Sequence, residues 1–547
     1  MTSRLGTIAV DLTPVLPGGD NGGAKIFVLE LLPHLADLAP QAQFILLTHF
    51  RSHEELAILD RVNVRRLLVI ASEPRDSFLR RLRKVAIRGL DRAPARLRNS
   101  ILHFSYRWKG RLKRAGSGSL LGDLRVDLLF CPFTAPTYFE PGIPTICTIY
   151  DLQYKTYPQF FAAEDVAHRE RTMNEAYRLA TTLTAISDYS RDSAIAHGKL
   201  DPARIRTIYL RMGQRGLHAE SDKGVLGRLN LSPGEYLIYP ANFWRHKNHE
   251  MLLTAFGIAC REGMRANVKL VCTGAPGMRQ DFLIRAACAM NLGDRICFPG
   301  YLPNAELATL MAHCTGVVFP SLYEGFGLPV IEAMSLGIPV ACSNTTSLPE
   351  VAGDAAILFD PRVPTEIARA LISLTEDESL RDRLIQRGLR RATEFSDAKR
   401  MATEYLRSFQ DGLDNQRGES LLVGAFADGW TGRRLRIRIA AASGTQNLAM
   451  EFSAPQWLPQ PRLTIQASHA GKAFGAPLVL VRGTHAILSL PIEPHGGWYE
   501  VSITPSFVPA DSGHGDDQRE LSAMLERCSI ARGDTEVIEL FPDTRPS

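Results

Sequence analysis

A chain of 547 residues exceeds what one hydrophobic core organises, so three or four domains are expected. Its 45% hydrophobic and 22% charged residues are ordinary for a globular protein and exclude a disordered polymer. The net charge of +5 hides an asymmetry: fourteen Lys or Arg against two acids lie between Arg75 and Arg114, a local balance of +12.

In chain order, residues 1–211 alternate short apolar runs with helical patterns. Thr7–Leu12, Gln43–Thr48, Val126–Cys131, Thr145–Tyr150 and Thr182–Ile186 have the composition of buried parallel strands. Ala24–Ala36 and Ala163–Ala180 carry helical periodicity. The N-terminus MTSRLGTIAVDL runs straight into the first strand and lacks the pattern of a secretory leader. A basic insertion, 75–120, interrupts this block. Its arginines interleave with Phe78, Leu82, Phe104, Tyr106 and Trp108, which suits an anionic membrane surface across 75–114. Nucleic acid is the rival partner and is not adopted; a solvated helical excursion is the plain alternative.

A polar, glycine-dotted linker is expected near Arg211–Arg228. A second alternating block over 229–395 follows, with strands at Glu235–Tyr239, Val268–Thr273, Arg295–Phe298, Gly316–Pro320 and Pro339–Ser343. Two such blocks predict two Rossmann-like, doubly wound α/β domains facing a cleft, where ligands bind at the carboxyl ends of strands. Residues 396–412 are expected to form a helix returning to the first domain. From 418 to 547 the pattern changes to period two, as in Arg434–Ile439, Arg462–Gln466 and Trp498–Thr504, and predicts an accessory β-sandwich. No apolar run reaches the roughly 18 residues of a membrane helix. The nine scattered cysteines form no CxxC pair and are expected to be buried thiols in a reducing compartment, neither disulfides nor metal ligands. A cytoplasmic protein, peripheral on the inner face of the membrane, is therefore expected.

The most informative stretch is Tyr323–Glu332, YEGFGLPVIE. Its glycines allow backbone amides to approach a ligand, and Pro329 fits the first position of a helix whose N-terminus attracts anions. A diphosphate suits that mouth. Carboxylates beside it suit neutral hydroxyls: Glu324 for a hexose, and Glu332, in the helix's first turn, for a ribose diol.

The run from Phe298 to Pro361 resembles the donor-binding half of GT-B retaining glycosyltransferases of family 4, including mannosyltransferases of O-antigen-like polysaccharides. Glu324 and Glu332 match that family's E-x7-E pair, and the likeness extends more weakly over residues 5–410. It implies transfer of a sugar from a nucleoside-diphosphate donor to a hydroxyl with retention of configuration, without a bound metal or other cofactor. Basic side chains and helix amides would stabilise the leaving diphosphate, and a departing phosphate oxygen would take the acceptor proton.

Further site residues follow from the resemblance. Glu324, Lys247 and Asp151 take the catalytic positions. Gly325, Phe326, Gly327, Leu328 and Glu332 hold the donor, Tyr301 and Leu302 edge its base, and Gly22 and Gly23, after Asn21, let phosphate and acceptor approach the backbone. Asn242 stands where the family usually has an arginine of the diphosphate clamp, so Arg245 is the candidate replacement. Tyr150 replaces a histidine before Asp151, and Asp151 orients the site or caps the next segment. Ser187 caps a helix or faces the cleft. Thr273–Gly277 is a tight turn or a phosphate cradle. GDP-mannose is the first donor to try, with a lipid-linked oligosaccharide as acceptor and other glycosyltransferases as partners. The alternatives are a nucleotide-sugar epimerase and a non-catalytic sugar-binding subunit.

Overall fold

A computed structural model describes residues 5–18, 22–71, 120–140, 142–211, 224–417, 420–426, 428–440, 446–469, 472–494, 496–512, 519–532 and 536–541. Asn21, the basic segment 75–114 and most of the expected linker lie outside the described residues. The described residues fall into two compact units. One comprises those within 5–70, 129–137 and 145–409; the other comprises those within 71–128, 138–144 and 410–541. Both α/β domains thus belong to one unit, and part of the first block belongs with the C-terminal strands.

The first sheet contains β1 (Thr7–Asp11), β2 (Gln43–His49), β3 (Val64–Ile70), β4 (Leu128–Cys131), β5 (Thr145–Ile149), β6 (Thr182–Ala185) and β7 (Ile205–Thr207), in the order β3-β2-β1-β4-β5-β6-β7. The second contains β8 (Tyr236–Pro240), β9 (Lys269–Thr273), β10 (Ile296–Gly300), β11 (Gly316–Phe319), β12 (Val340–Ser343) and β13 (Ala356–Phe359), in the order β10-β9-β8-β11-β12-β13. Every ladder of the second sheet is parallel. Strand order reverses beside β1 in one sheet and beside β8 in the other, so the carboxyl ends of β1, β4, β8 and β11 are where sheets of this kind hold their ligands.

Strands β3, β7 and β13 are additional to those expected. Edge strand β3 carries Arg65 and Arg66, and β7 is only three residues long, so neither has a buried-strand composition. Arg211 is not part of an open linker: it is 5% exposed and donates to Glu404 at 2.7 Å. Residues Gly224–Arg228 form a short helix.

Glu404 sits on the return helix, Ala398–Arg417. The Tyr405 hydroxyl lies 3.2 Å from Thr148 Oγ1 and 3.4 Å from Thr184 Oγ1. Its ring packs against Phe27 and Phe130, and Phe409 packs against Phe130 at 5.2 Å. Residues late in the chain therefore complete the core of the first sheet.

The other unit contains β14 (Leu421–Ala425), β15 (Thr431–Ile439), β16 (Gln446–Ser453), β17 (Arg462–His469), β18 (Lys472–Ala473), β19 (Leu478–Val481), β20 (His485–Ile492), β21 (Gly497–Thr504), β22 (Met524–Arg532) and β23 (Glu536–Phe541). They form a six-stranded and a four-stranded antiparallel sheet. One core takes Leu435, Ile437 and Ile465 from the first and Leu448, Met450 and Ile530 from the second. Alternate residues of β15 leave Arg436 and Arg438 over the Trp498 ring.

All nine cysteines are free thiols; five are buried, whereas Cys288 is exposed, contrary to expectation. Among the described residues no helix is long and apolar enough to cross a membrane.

Candidate functional site: a cleft between two acid-bearing loops

The turn after β8 brings cations to the cleft. Arg245–Lys247 is one turn of 3-10 helix, ended by Asn248 in the left-handed region at φ 61°. Buried Asn248 donates to Pro320 O at 3.1 Å and Pro361 O at 2.8 Å, and Leu322 N donates to His246 O at 2.7 Å. These bonds fix the turn against the loop after β11. The Lys247 ammonium donates to Glu324 Oε1 at 2.6 Å and lies 5.1 Å from the Phe319 ring centroid.

Glu324 is held by its backbone as well. Its N–H donates to Thr346 Oγ1 at 3.1 Å, and its carbonyl accepts from Ser347 Oγ at 3.0 Å. Gly327, at φ 113°, caps the Leu328–Ser335 helix. Leu328 is the first helical residue and Pro329 the second, one place later than expected. Glu332 is half-buried and lies beyond the first turn, not within it. Phe326 is 3% exposed, its ring packed on Phe395 and Tyr209, so its side chain belongs to the interior.

Gly325 brings this loop against the first domain. A Cβ there would lie 2.4 Å from Tyr150 O and 3.2 Å from Asp151 Cβ. The Gly325 carbonyl accepts from Ser187 Oγ at 2.7 Å and from Ser190 Oγ at 3.2 Å, while Ser190 Oγ also lies 2.8 Å from Tyr150 O. One hydroxyl proton cannot serve both carbonyls fully, so Ser190 chiefly ties Tyr150 and Ser187 ties Gly325. Ser187 also caps its helix by accepting from Ser190 N, the capping role expected of it, and its side chain is buried in the seam between the two loops. On the other side Leu152 N donates to the Tyr323 hydroxyl at 3.2 Å. Asp151 and Glu324 are thereby brought close together.

The electrostatics separate the groups. Burial pushes the Asp151 carboxyl above its ordinary range and the Glu324 charge adds to this; the Gln153 N–H, Arg169 and Lys247 oppose it. The Gln153 N–H donates to Asp151 Oδ1 at 3.0 Å, which ties the carboxylate to the start of the Gln153–Thr156 segment. Burial, then the Lys247 charge, lowers His246 to about 4, so it is a neutral group here. Arg245 is exposed and has no carboxylate partner among the described residues. Arg169, on the Ala163–Leu179 helix, influences both Asp151 and His246; solvent-facing helical spacing gave it no distinguishing signal in the sequence.

The residues that depart from the family pattern hold the scaffold. Asn242 Oδ1 accepts from Ala275 N at 2.8 Å, and the Tyr150 hydroxyl donates to Pro132 O at 2.8 Å. Beside Asn242 opens a cavity of about 870 Å³, lined by Gly22 and Gly23, by Asn242–Arg245, by Ala275–Arg279 and by Phe282. Gly22, at φ 51°, starts the Gly23–Leu38 helix, and a Cβ on Gly23 would lie 3.5 Å from Leu328. The start of that helix thus meets the start of the Leu328–Ser335 helix. Within the Thr273–Gly277 turn, Ala275, Pro276 and Gly277 line the cavity. Tyr301 is 72% exposed, whereas the Leu302 side chain is buried, leaving its backbone for any ligand.

Residues 229–391 match the family of glycosyl transferases group 1. They are a group 1 glycosyl transferase domain. The chain is 32% identical over 253 residues to an O-antigen chain mannosyltransferase B of Escherichia coli, covering 46% of this chain and 66% of that one. To a serotype-specific mannosyltransferase, WbdA, of Escherichia coli it is 27% identical over 321 residues, covering 56% of this chain and 38% of that one. The chain thus spans 66% or less of these relatives' lengths. The structure of Anabaena Alr3699/HepE with UDP and glucose superposes with a TM-score of 0.51 at 16% identity, covering 74% of this chain and 99% of that one. WaaG, a glycosyltransferase of lipopolysaccharide biosynthesis, superposes with a TM-score of 0.50 at 14% identity, covering 74% and 99%. The glycosyl transferase domain and the sheet preceding it have the expected GT-B architecture.

Proposed function

We propose that the protein is a retaining, metal-independent mannosyltransferase, moving mannose from a nucleoside-diphosphate donor to a hydroxyl of a growing, lipid-linked surface glycan. The observation that carries this reading is the Lys247–Glu324 pair, both side chains nearly buried, at the loop leading into the Gly327-capped helix. The mannosyltransferase names of the two curated relatives support the choice of sugar. GDP-mannose is the first donor to test.

In this reading the helix N-terminus, Lys247 and Arg245 receive the diphosphate. Lys247 then exchanges its contact with Glu324 for a phosphate oxygen, freeing the carboxylate for a sugar hydroxyl. Glu332 takes the ribose, and Tyr301 and Leu302 edge the base. Asp151 lies on the acceptor side, and its raised proton affinity suits a hydrogen bond to a hydroxyl. The leaving phosphate oxygen accepts the acceptor proton, so no protein general base is required. The basic segment 75–114 would hold the enzyme at an anionic membrane.

The test is turnover with GDP-, UDP-, ADP- and dTDP-sugars, with the product anomer read by NMR and the assay repeated in EDTA. Retained configuration, persistence in EDTA and loss of turnover in Glu324→Ala are expected. Inversion, or full turnover in Glu324→Ala, overturns the mechanism. Vesicle co-sedimentation independent of anionic lipid overturns the membrane role.

A further inference from the structure

Three large apolar side chains stand exposed along the lining of the cavity: Trp244 at 60%, Met278 at 89% and Phe282 at 47% exposure. The donor chemistry proposed above uses none of them. Exposed apolar groups gathered at a cavity, with few polar groups at its rim, are the mark of a ligand surface.

Their place and charge narrow the ligand. Trp244 O accepts from Lys247 N at 2.9 Å, so the indole is one short turn from the lysine that contacts Glu324. Trp244 therefore borders the lysine that is proposed above to meet the donor phosphate. Arg279 is neutralised by Glu250, leaving Arg245 as the unpaired cation of the lining among the described residues. Gly22 and Gly23, also in the lining, present bare backbone. With Arg245 assigned to the donor diphosphate, the apolar wall that remains fits a neutral ring with a flat apolar C–H face and a hydroxyl-bearing edge.

We propose that Trp244, Met278 and Phe282 form an acceptor subsite that stacks a pyranose ring of the acceptor glycan next to the residue receiving the sugar. This rests on the transferase reading above and deepens it: the enzyme would select an oligosaccharide over a monosaccharide through ring stacking. A nucleobase, the other flat ligand available, would instead couple the wall to donor affinity.

The experiment uses the full chain with GDP-mannose, comparing linear mannotriose with methyl α-mannoside as acceptors. Trp244→Ala is expected to raise the KM for mannotriose about tenfold, the scale of a lost aromatic contact. Its KM for methyl α-mannoside should move less than about twofold, and Trp244→Phe should recover most of the mannotriose affinity. Separately, mannotriose without donor should shift the tryptophan emission of wild type but not of Trp244→Phe. An unchanged mannotriose KM in Trp244→Ala, an equal effect on both acceptors, or a rise confined to the donor KM overturns the subsite. If wild type transfers from no donor, the transferase reading fails, and the emission titration alone decides whether the wall binds glycan.

Discussion

Glu324 and Asp151 reach the same site from different domains, on loops that use their polar groups differently. In the loop after β11 the backbone is held by Thr346 and Ser347, and the Glu324 carboxylate meets an opposite charge, Lys247. In the loop after β5 one oxygen of the Asp151 carboxylate accepts from the Gln153 N–H, and the Tyr150 hydroxyl donates to Pro132 O. The first loop is organised around a group available for exchange with a ligand, the second around its own backbone. The lesson is that an acid in a cleft gains meaning from what its neighbours leave it free to do.

The sharpest test of this contrast is replacement of the two acids in turn. Glu324→Ala and Lys247→Ala should each lower kcat on the order of 10²-fold or more, with a strongly non-additive double mutant. Asp151→Asn should cost far less, since the amide oxygen can still cap Gln153. Equal losses at Glu324 and Asp151 would break the comparison.

Gly325→Ala comes next. Its Cβ would press on the Tyr150 carbonyl, a backbone atom that cannot rotate away. A stability loss of about 1–3 kcal/mol by denaturant titration is expected, with a fall in activity. Wild-type behaviour would show that the two loops are not in firm contact.

The serines should matter less. Ser187→Ala loses a helix cap and should cost about 1 kcal/mol. Ser190→Ala should lower kcat on the order of fivefold while leaving the donor KM nearly unchanged, and Ser190→Thr should restore it. A loss in stability alone, with kcat intact, would make the serines mere packing.

The smallest effect is pH dependence. His246 is lowered from 6.5 to about 4, chiefly by burial. As pH falls through 6.5 the unfolded chain binds protons that the native state refuses, so stability declines from there toward pH 4. His246→Asn should flatten that decline by roughly a few degrees of Tm. An unchanged slope would remove the neutral imidazole from the account.

The same contrast explains what the sequence made legible. The YEGFGLPVIE stretch compresses a positive-φ glycine, a contact glycine and two acids into ten residues, so the donor loop could be read directly. Buried strands such as β1, β5 and β12 were equally plain from their apolar runs. Arg169 and the Trp244 wall were not, because exposed residues carry no periodic signal until distant elements meet. The burial of the Phe326 ring was not legible for a related reason: sequence adjacency to a ligand loop does not show which way a ring turns. Most strands of the C-terminal unit also escaped notice, their alternation being blurred by polar turns.

The return helix has a consequence for how the protein comes into being. Phe27, Phe130, Thr148 and Thr184 precede the donor domain in the chain, whereas Tyr405 and Phe409, which cover them, follow it. The first sheet's domain is therefore synthesised before the side chains that cover this apolar face. It must wait for the whole donor half before its own core closes, so the two halves of the cleft reach their finished state together.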